Sequence, residues 1–226
     1  MNLKKVFVLI IISFVFTHNA YAQKFTRSVR QTYIPQAGDI ILFQTPRPEK
    51  RIITRLATGA SITHSAIVFE ENGEKFLLYA IGHKNNKAGD EDDESGVIIE
   101  SLKDALLNEP DRLFVRTFKK GKGLTSKESK KLTEFAHSQL GKPFFEDPGV
   151  IVITSPTRFT PPPQEYKNYF CSKLVSTACI VAGIVGKDSR GTYINPSGVT
   201  PADLATDQRI NLSRRYNTPV PLHINK

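Results

Sequence analysis

The sequence contains no tryptophan, a single methionine and two cysteines in 226 residues. With Cys171 and Cys179 alone, a disulfide-rich scaffold and a tetrahedral thiolate zinc site are both excluded. On one helix, eight positions apart, the two sulfurs would hang from Cα atoms about 12 Å distant. A disulfide requires less than about 7 Å, so the pair is expected to stay free. Also missing, outside the first 22 residues, is any apolar run approaching the length that spans a membrane. The N-terminal run, Val6 to Phe16, is broken only by Ser13; Lys4-Lys5 precede it and Ala20-Tyr21-Ala22 follow. That pattern is a secretory signal peptide cleaved after Ala22. The expected organisation is a leader over 1–22 and one domain over 23–226, exported to the periplasm or beyond. This mature domain is expected to be a monomer without a transmembrane segment. No cysteine stands directly after the leader, which argues against a lipidated N-terminus.

Acid is in short supply as well, with 22 Asp and Glu against 31 Lys and Arg. Loss of the leader, which carries two lysines and no acid, lowers the formal net charge from +9 to +7. A basic domain either suits anionic envelope polymers or lipid headgroups or simply carries a solvated basic surface. Its cations are scattered, however, and no nucleic-acid motif accompanies them, so a nucleic-acid partner is not expected. The acidic cluster Asp90 to Glu94 lacks the alternating ligand spacing of a calcium loop and reads as solvated loop. Neither a metal nor another cofactor is implied.

Periodicity predicts the elements. Ile40 to Gln44 reads as a buried strand, and residues 49–58 as a short helix before Gly59. Ile62 to Glu70 and Lys75 to Ile81 flank Asn72-Gly73, a strong hairpin signal. Val97 to Glu100 and Arg112 to Phe118 are strand-like, with a short helix over 101–107 between them. Thr125 and Glu128 form a capping box for a helix ending at Gly141, with Leu132, Phe135, Ala136, Gln139 and Leu140 on its core stripe. His137 falls on its solvent face. Residues 142–168 are broken by prolines, as in lids and cleft walls. Phe170 to Val185 is an apolar helix closed by Gly186, and Thr200-Pro201 opens a last short helix. The fold class is therefore α+β, a largely antiparallel sheet packed against helices.

Two residues stand out chemically. Cys171 opens the apolar helix, where the dipole and free N–H groups favour a thiolate and suit an oxyanion. It is either a nucleophile or a packing cysteine like Cys179, two turns deeper. His64 lies in the Ile62-to-Phe69 strand, facing the same way as Ile62, Ala66 and Val68. It is either hydrogen-bonded in the core or turned toward the cysteine helix as a base. His83 follows the hairpin's second strand.

Five short motifs occur in order: Gly38-Asp39-Ile40-Ile41, Thr63-His64-Ser65-Ala66-Ile67-Val68-Phe69, Gly141-Lys142-Pro143-Phe144, Tyr169-Phe170-Cys171-Ser172-Lys173-Leu174-Val175 and Thr200-Pro201-Ala202-Asp203-Leu204. Together they resemble the YiiX/YebB-like group of circularly permuted NlpC-type, papain-like cysteine hydrolases. The resemblance implies Cys171 as nucleophile and His64 as base, within an antiparallel sheet packed on helices. It also implies a cell-wall peptide or an acylated lipid as substrate. The family commonly has an acid before the alanine of the next strand, where this chain has Tyr79. Either Tyr79 or His83 then orients a working dyad, or the fold serves as a catalytically weakened ligand-binding module. Lys173, where the family often has glutamate, is expected on the helix surface.

Overall fold

The computed structural model describes residues 33–45, 61–82, 95–108, 112–145, 158–159 and 166–222. The expected leader, the helix over 49–58, the acidic loop, His83, His223 and most of the proline-rich segment lie outside the described residues. In chain order the strands are β1 (Ile40–Gln44), β2 (His64–Glu71), β3 (Glu74–Ile81), β4 (Gly96–Ser101), β5 (Arg112–Arg116), β6 (Arg158–Phe159), β7 (Tyr193–Ile194) and β8 (Val220–Leu222). The helices are α1 (Leu102–Asn108), α2 (Ser126–Gln139), α3 (Cys171–Val181) and α4 (Pro201–Thr206). Among the described residues a six-stranded sheet runs β4-β3-β2-β1-β5-β8 with every pair antiparallel. Strands β6 and β7 pair separately.

Both faces of the sheet are buried, which is why β1 and β2 read as continuous apolar runs rather than alternating ones. On one face Ile40, Leu42, Ile67, Phe69, Leu78 and Ala80 pack with α2 and α3. On the other, Ile41, Phe43, Ala66, Val68 and Leu77 pack with Leu102 of α1 and with Leu113 and Val115 of β5. Each such Val, Leu, Ile or Phe side chain contributes about 1.5–3 kcal/mol by leaving water. The helices are thus not wholly on one side, because α1 closes the second face.

Local chemistry sets the boundaries. Asn72 and Gly73 have φ of 52° and 83°, the two positive values that a tight hairpin turn requires. Thr125 and Glu128 complete the expected capping box of α2. Leu140, however, is the C-cap and 53% exposed, not part of the core stripe. Helix α3 also stops earlier than its apolar pattern suggests. Gly183 takes φ +80°, and the amides of Ile184 and Val185 turn back to the Cys179 carbonyl. The following apolar residues cap the helix and pack against the core without extending it.

Two motifs hold the chain that leads into α3. At Gly96, with φ +124°, a Cβ would sit 2.7 Å from the Lys142 carbonyl oxygen. That close approach lets the Val97 amide donate to the Lys142 carbonyl and the Gly141 amide to the Val97 carbonyl. The Gly-Lys-Pro-Phe turn is thereby fastened to β4. From it, the Phe145 amide donates to the Tyr169 carbonyl and the Tyr169 amide to the Pro143 carbonyl. The buried Tyr169 hydroxyl donates to Gln139 Oε1 at 2.8 Å, tying the segment to α2. Cys171, two residues on, inherits a fixed position.

Candidate active site

Cys171 is the first residue of α3, and its N-cap, Phe170, supplies no side-chain hydrogen bond to the opening turn. The first amides of a helix have no partner within the helix, so they are left to serve whatever lies before them. Here that is the cysteine sulfur, addressed by the backbone amides of Cys171 and Ser172. Two more donors reach it from β2, the amide and the hydroxyl of Ser65.

The sheet makes room for this meeting. The β2–β3 ladder runs from Glu71↔Glu74 to Ile67↔Leu78 and goes no further. Yet β2 continues to His64 against β1, and β3 continues to Ile81 against β4. The strands therefore part beyond Ile67 and Leu78. In the ladder's alternation the Ser65 amide would next face β3; it points at the Cys171 thiol instead.

His64 and Tyr79 flank the same gap from the other face. Alternation puts His64 with Ala66 and Val68, away from Ser65, and its ring sits between Phe43 and Tyr79 at centroid distances of 5.0 and 5.8 Å. The expected company of Ala66 and Val68 is found; that of Ile62 is not. Residue 62 precedes the strand and packs in the helix-side core. The structure thus brings His64 and Tyr79 together and sets Cys171 against the residue next to His64. Among the described residues, the groups that act on the Cys171 thiol do not include His64, nor those on His64 the thiol.

The Tyr79 hydroxyl donates to Glu100 Oε2 on β4 at 2.7 Å. A carboxylate therefore stands behind the phenol, one strand further from the histidine. Sequence reasoning missed Glu100 because its relation to Tyr79 depends on the β3–β4 register, in which Leu77 faces Glu100 and Tyr79 faces Ile98. It missed Ser65 for a similar reason: only the parting of two strands gives that residue a partner outside the sheet.

Burial sets the protonation states. The Cys171 thiol is pushed up from its ordinary range by desolvation, against the pull of the four surrounding donors. Desolvation lowers His64 from 6.5 to about 4. At neutral pH the resting pair is thus a thiol and an uncharged imidazole, with the helix-start effect expected from sequence outweighed by burial. Cys179, fully buried, is pushed up to about 12 by desolvation and is a packing residue. Both cysteines are free.

The Ser65 hydroxyl is fully buried and without a hydrogen-bond partner of ordinary geometry. A buried hydroxyl in that condition costs about 1–3 kcal/mol. Lys173 also departs from expectation: it is 6% exposed, not on the surface. Its Nζ donates to the Asn168 carbonyl and lies 4.0 Å from the Tyr166 ring centre. Burial lowers its pKa to about 8. His137 is exposed as expected, paired with Glu71 at 3.0 Å.

Residues 34–212 match the model of the permuted papain-like amidases, the YaeF/YiiX or C92 family. The chain belongs to that family. Its α+β architecture and the chemistry type of a cysteine hydrolase go with that membership. Among solved structures, this chain is similar to one described as metalloprotein YiiX from Escherichia coli O157:H7. The two share 23% identity over 65% of this chain and 66% of that one, just under two thirds of its length, at a TM-score of 0.44. No curated protein matches the sequence. Among the described residues, no group of three or more His, Cys, Asp and Glu side chains is placed to hold a metal ion.

Proposed function

We propose that this permuted amidase is an exported cysteine hydrolase that cleaves amide or related acyl bonds in cell-envelope peptides or acylated lipids. One observation carries the reading. Cys171 sits at an uncapped helix start, its sulfur ringed by N–H and O–H donors and set against the strand that begins with His64.

The resting pair is uncharged, so proton transfer accompanies attack. His64 takes the Cys171 proton as the sulfur bonds to the carbonyl carbon, and the carbonyl π electrons move onto oxygen. Amides at the start of α3 stabilise that oxyanion. Collapse breaks the C–N or C–O bond, and the imidazolium returns its proton to the leaving group. Water, deprotonated by His64, then splits the thioester and regenerates the thiol. For the transfer, the His64 ring is required to turn from its resting place beside Phe43 and Tyr79 toward the sulfur. Tyr79, anchored by Glu100, orients the ring.

The test is to incubate the mature protein with peptidoglycan fragments and with acylated lipids, beside a Cys171→Ala control. Product from one substrate class is expected, with turnover lost by at least about a thousandfold in the variant while its fold persists. Equal turnover in both proteins would reject the nucleophile. A second reading, a ligand-binding module without turnover, draws on the phenol that stands where the family commonly carries an acid. Saturable binding of either substrate without product from the native protein would establish it.

A further inference from the structure

Ser65 is the residue of the site that the dyad leaves unused. Its position in β2 faces the helix side, on the sheet face that carries Leu42, Ile67 and Ala80, and its hydroxyl reaches the sulfur of Cys171. It is fully buried, and its hydroxyl makes no hydrogen bond of ordinary geometry, although it lies close enough to act on the Cys171 sulfur. Alanine would serve the packing equally well and would avoid the stranded hydroxyl. A neutral thiol is a weak acceptor; a thiolate is a strong one. The charge that must appear on this sulfur during reaction appears in a place that desolvation makes hostile to it.

We propose that the Ser65 hydroxyl is a further catalytic group, donating its hydrogen bond to Cys171 Sγ as the sulfur gives up its proton to His64. No atom is transferred by Ser65. The S–H bond breaks, the proton goes to the imidazole nitrogen, and the electron pair left on sulfur is met by Ser65 Oγ–H until the pair forms the bond to carbon. When the thioester is released, the hydroxyl meets the departing thiolate in the same way. The inference rests on Cys171 being the nucleophile, and it adds a donor that stabilises the anion rather than accepting its proton.

The test reads the thiol itself. In a Cys179→Ala background, the rate of Cys171 alkylation by iodoacetamide is followed from pH 6 to 11.5 for the native residue, Ser65→Ala and Ser65→Thr, with thermal melting alongside. Ser65→Ala is expected to move the inflection of the rate profile upward by about one pH unit. Alkylation at pH 7.5 would then be about tenfold slower. The melting temperature of Ser65→Ala is expected to be unchanged or higher, since a stranded polar group has been removed. Ser65→Thr, which keeps the hydroxyl, is expected to restore the native inflection. A profile unmoved in Ser65→Ala would overturn the inference and leave the nucleophile standing. So would a loss of reactivity that tracks a fall in melting temperature, because that marks a packing role. A Cys171 that fails to react even with Ser65 present, or whose profile shows no inflection distinct from a model thiol, would instead overturn the nucleophile reading, and the inference with it.

Discussion

His64, half-buried at the start of β2, shows how far desolvation can move a residue from its expected behaviour. Folded, it remains uncharged down to about pH 4, whereas the unfolded chain takes up that proton near 6.5. The unfolded state therefore binds more protons between these values. The stability that His64 contributes is complete above 6.5 and is lost as pH falls through about 4. Asp39, raised by desolvation to about 6, acts in the opposite sense, since its contribution is lost as pH rises. The informative quantity is accordingly the difference between native protein and His64→Gln in thermal melts from pH 4 to 7. Native protein is expected to lose stability relative to the variant as the medium is acidified; parallel curves would contradict the burial of an uncharged imidazole. In turnover, the acid limb of kcat/KM is expected near pH 4 rather than 6.5.

At the level of elements, the site is a defect in a regular sheet. Strands β2 and β3 pair well at the hairpin end and part at the other, where Cys171 enters from one face and His64 with Tyr79 stand on the other. Strand β4 then contributes Glu100 to the phenol. This cross-strand bond predicts that Glu100→Gln lowers kcat on the order of tenfold, with KM and melting temperature little changed. Steady-state kinetics on whichever substrate the protein turns over would check it, and a change confined to KM would place Glu100 in binding instead. Most of these elements were legible in the sequence. Asn72-Gly73 announced the hairpin, Thr125 with Glu128 the start of α2, and Thr200-Pro201 the start of α4, because each is a local backbone requirement met by local side chains. What periodicity misjudged was where α3 ends and which way Lys173 points. Gly183 ends the helix regardless of the apolar residues beyond it, and Tyr166 and Asn168 draw the lysine inward.

Across the whole molecule, one buried cation ties the distal parts of the chain to the sheet. Arg116, 1% exposed at the end of β5, donates to the Leu204 carbonyl at 2.7 Å and to the Asn217 carbonyl at 3.0 Å. Its other nitrogen meets both oxygens of Asp207 at 2.8 and 2.7 Å. Asp207 in turn holds the Leu212 amide, and its φ of 63° ends α4. Arg116→Ala would strand three acceptors and is expected to cost about 3 kcal/mol, seen as a lower urea midpoint at unchanged slope. A midpoint within error of the native one would show that the carbonyls find other donors. No helix among the described residues is long and apolar enough to cross a membrane.

The sequence by itself determined the α+β class, the hairpin, the helix caps and the ordered motifs that carry family membership. It also singled out Cys171 at a helix start, because these are properties of neighbouring residues. The tertiary structure alone decided that the thiol and the imidazole rest uncharged, since desolvation depends on what the rest of the chain lays over them. It alone set Glu100 behind Tyr79 and the buried Ser65 hydroxyl beside the sulfur. Those relations come from strand register and from where two strands separate, and neither is written in the spacing of residues along one chain.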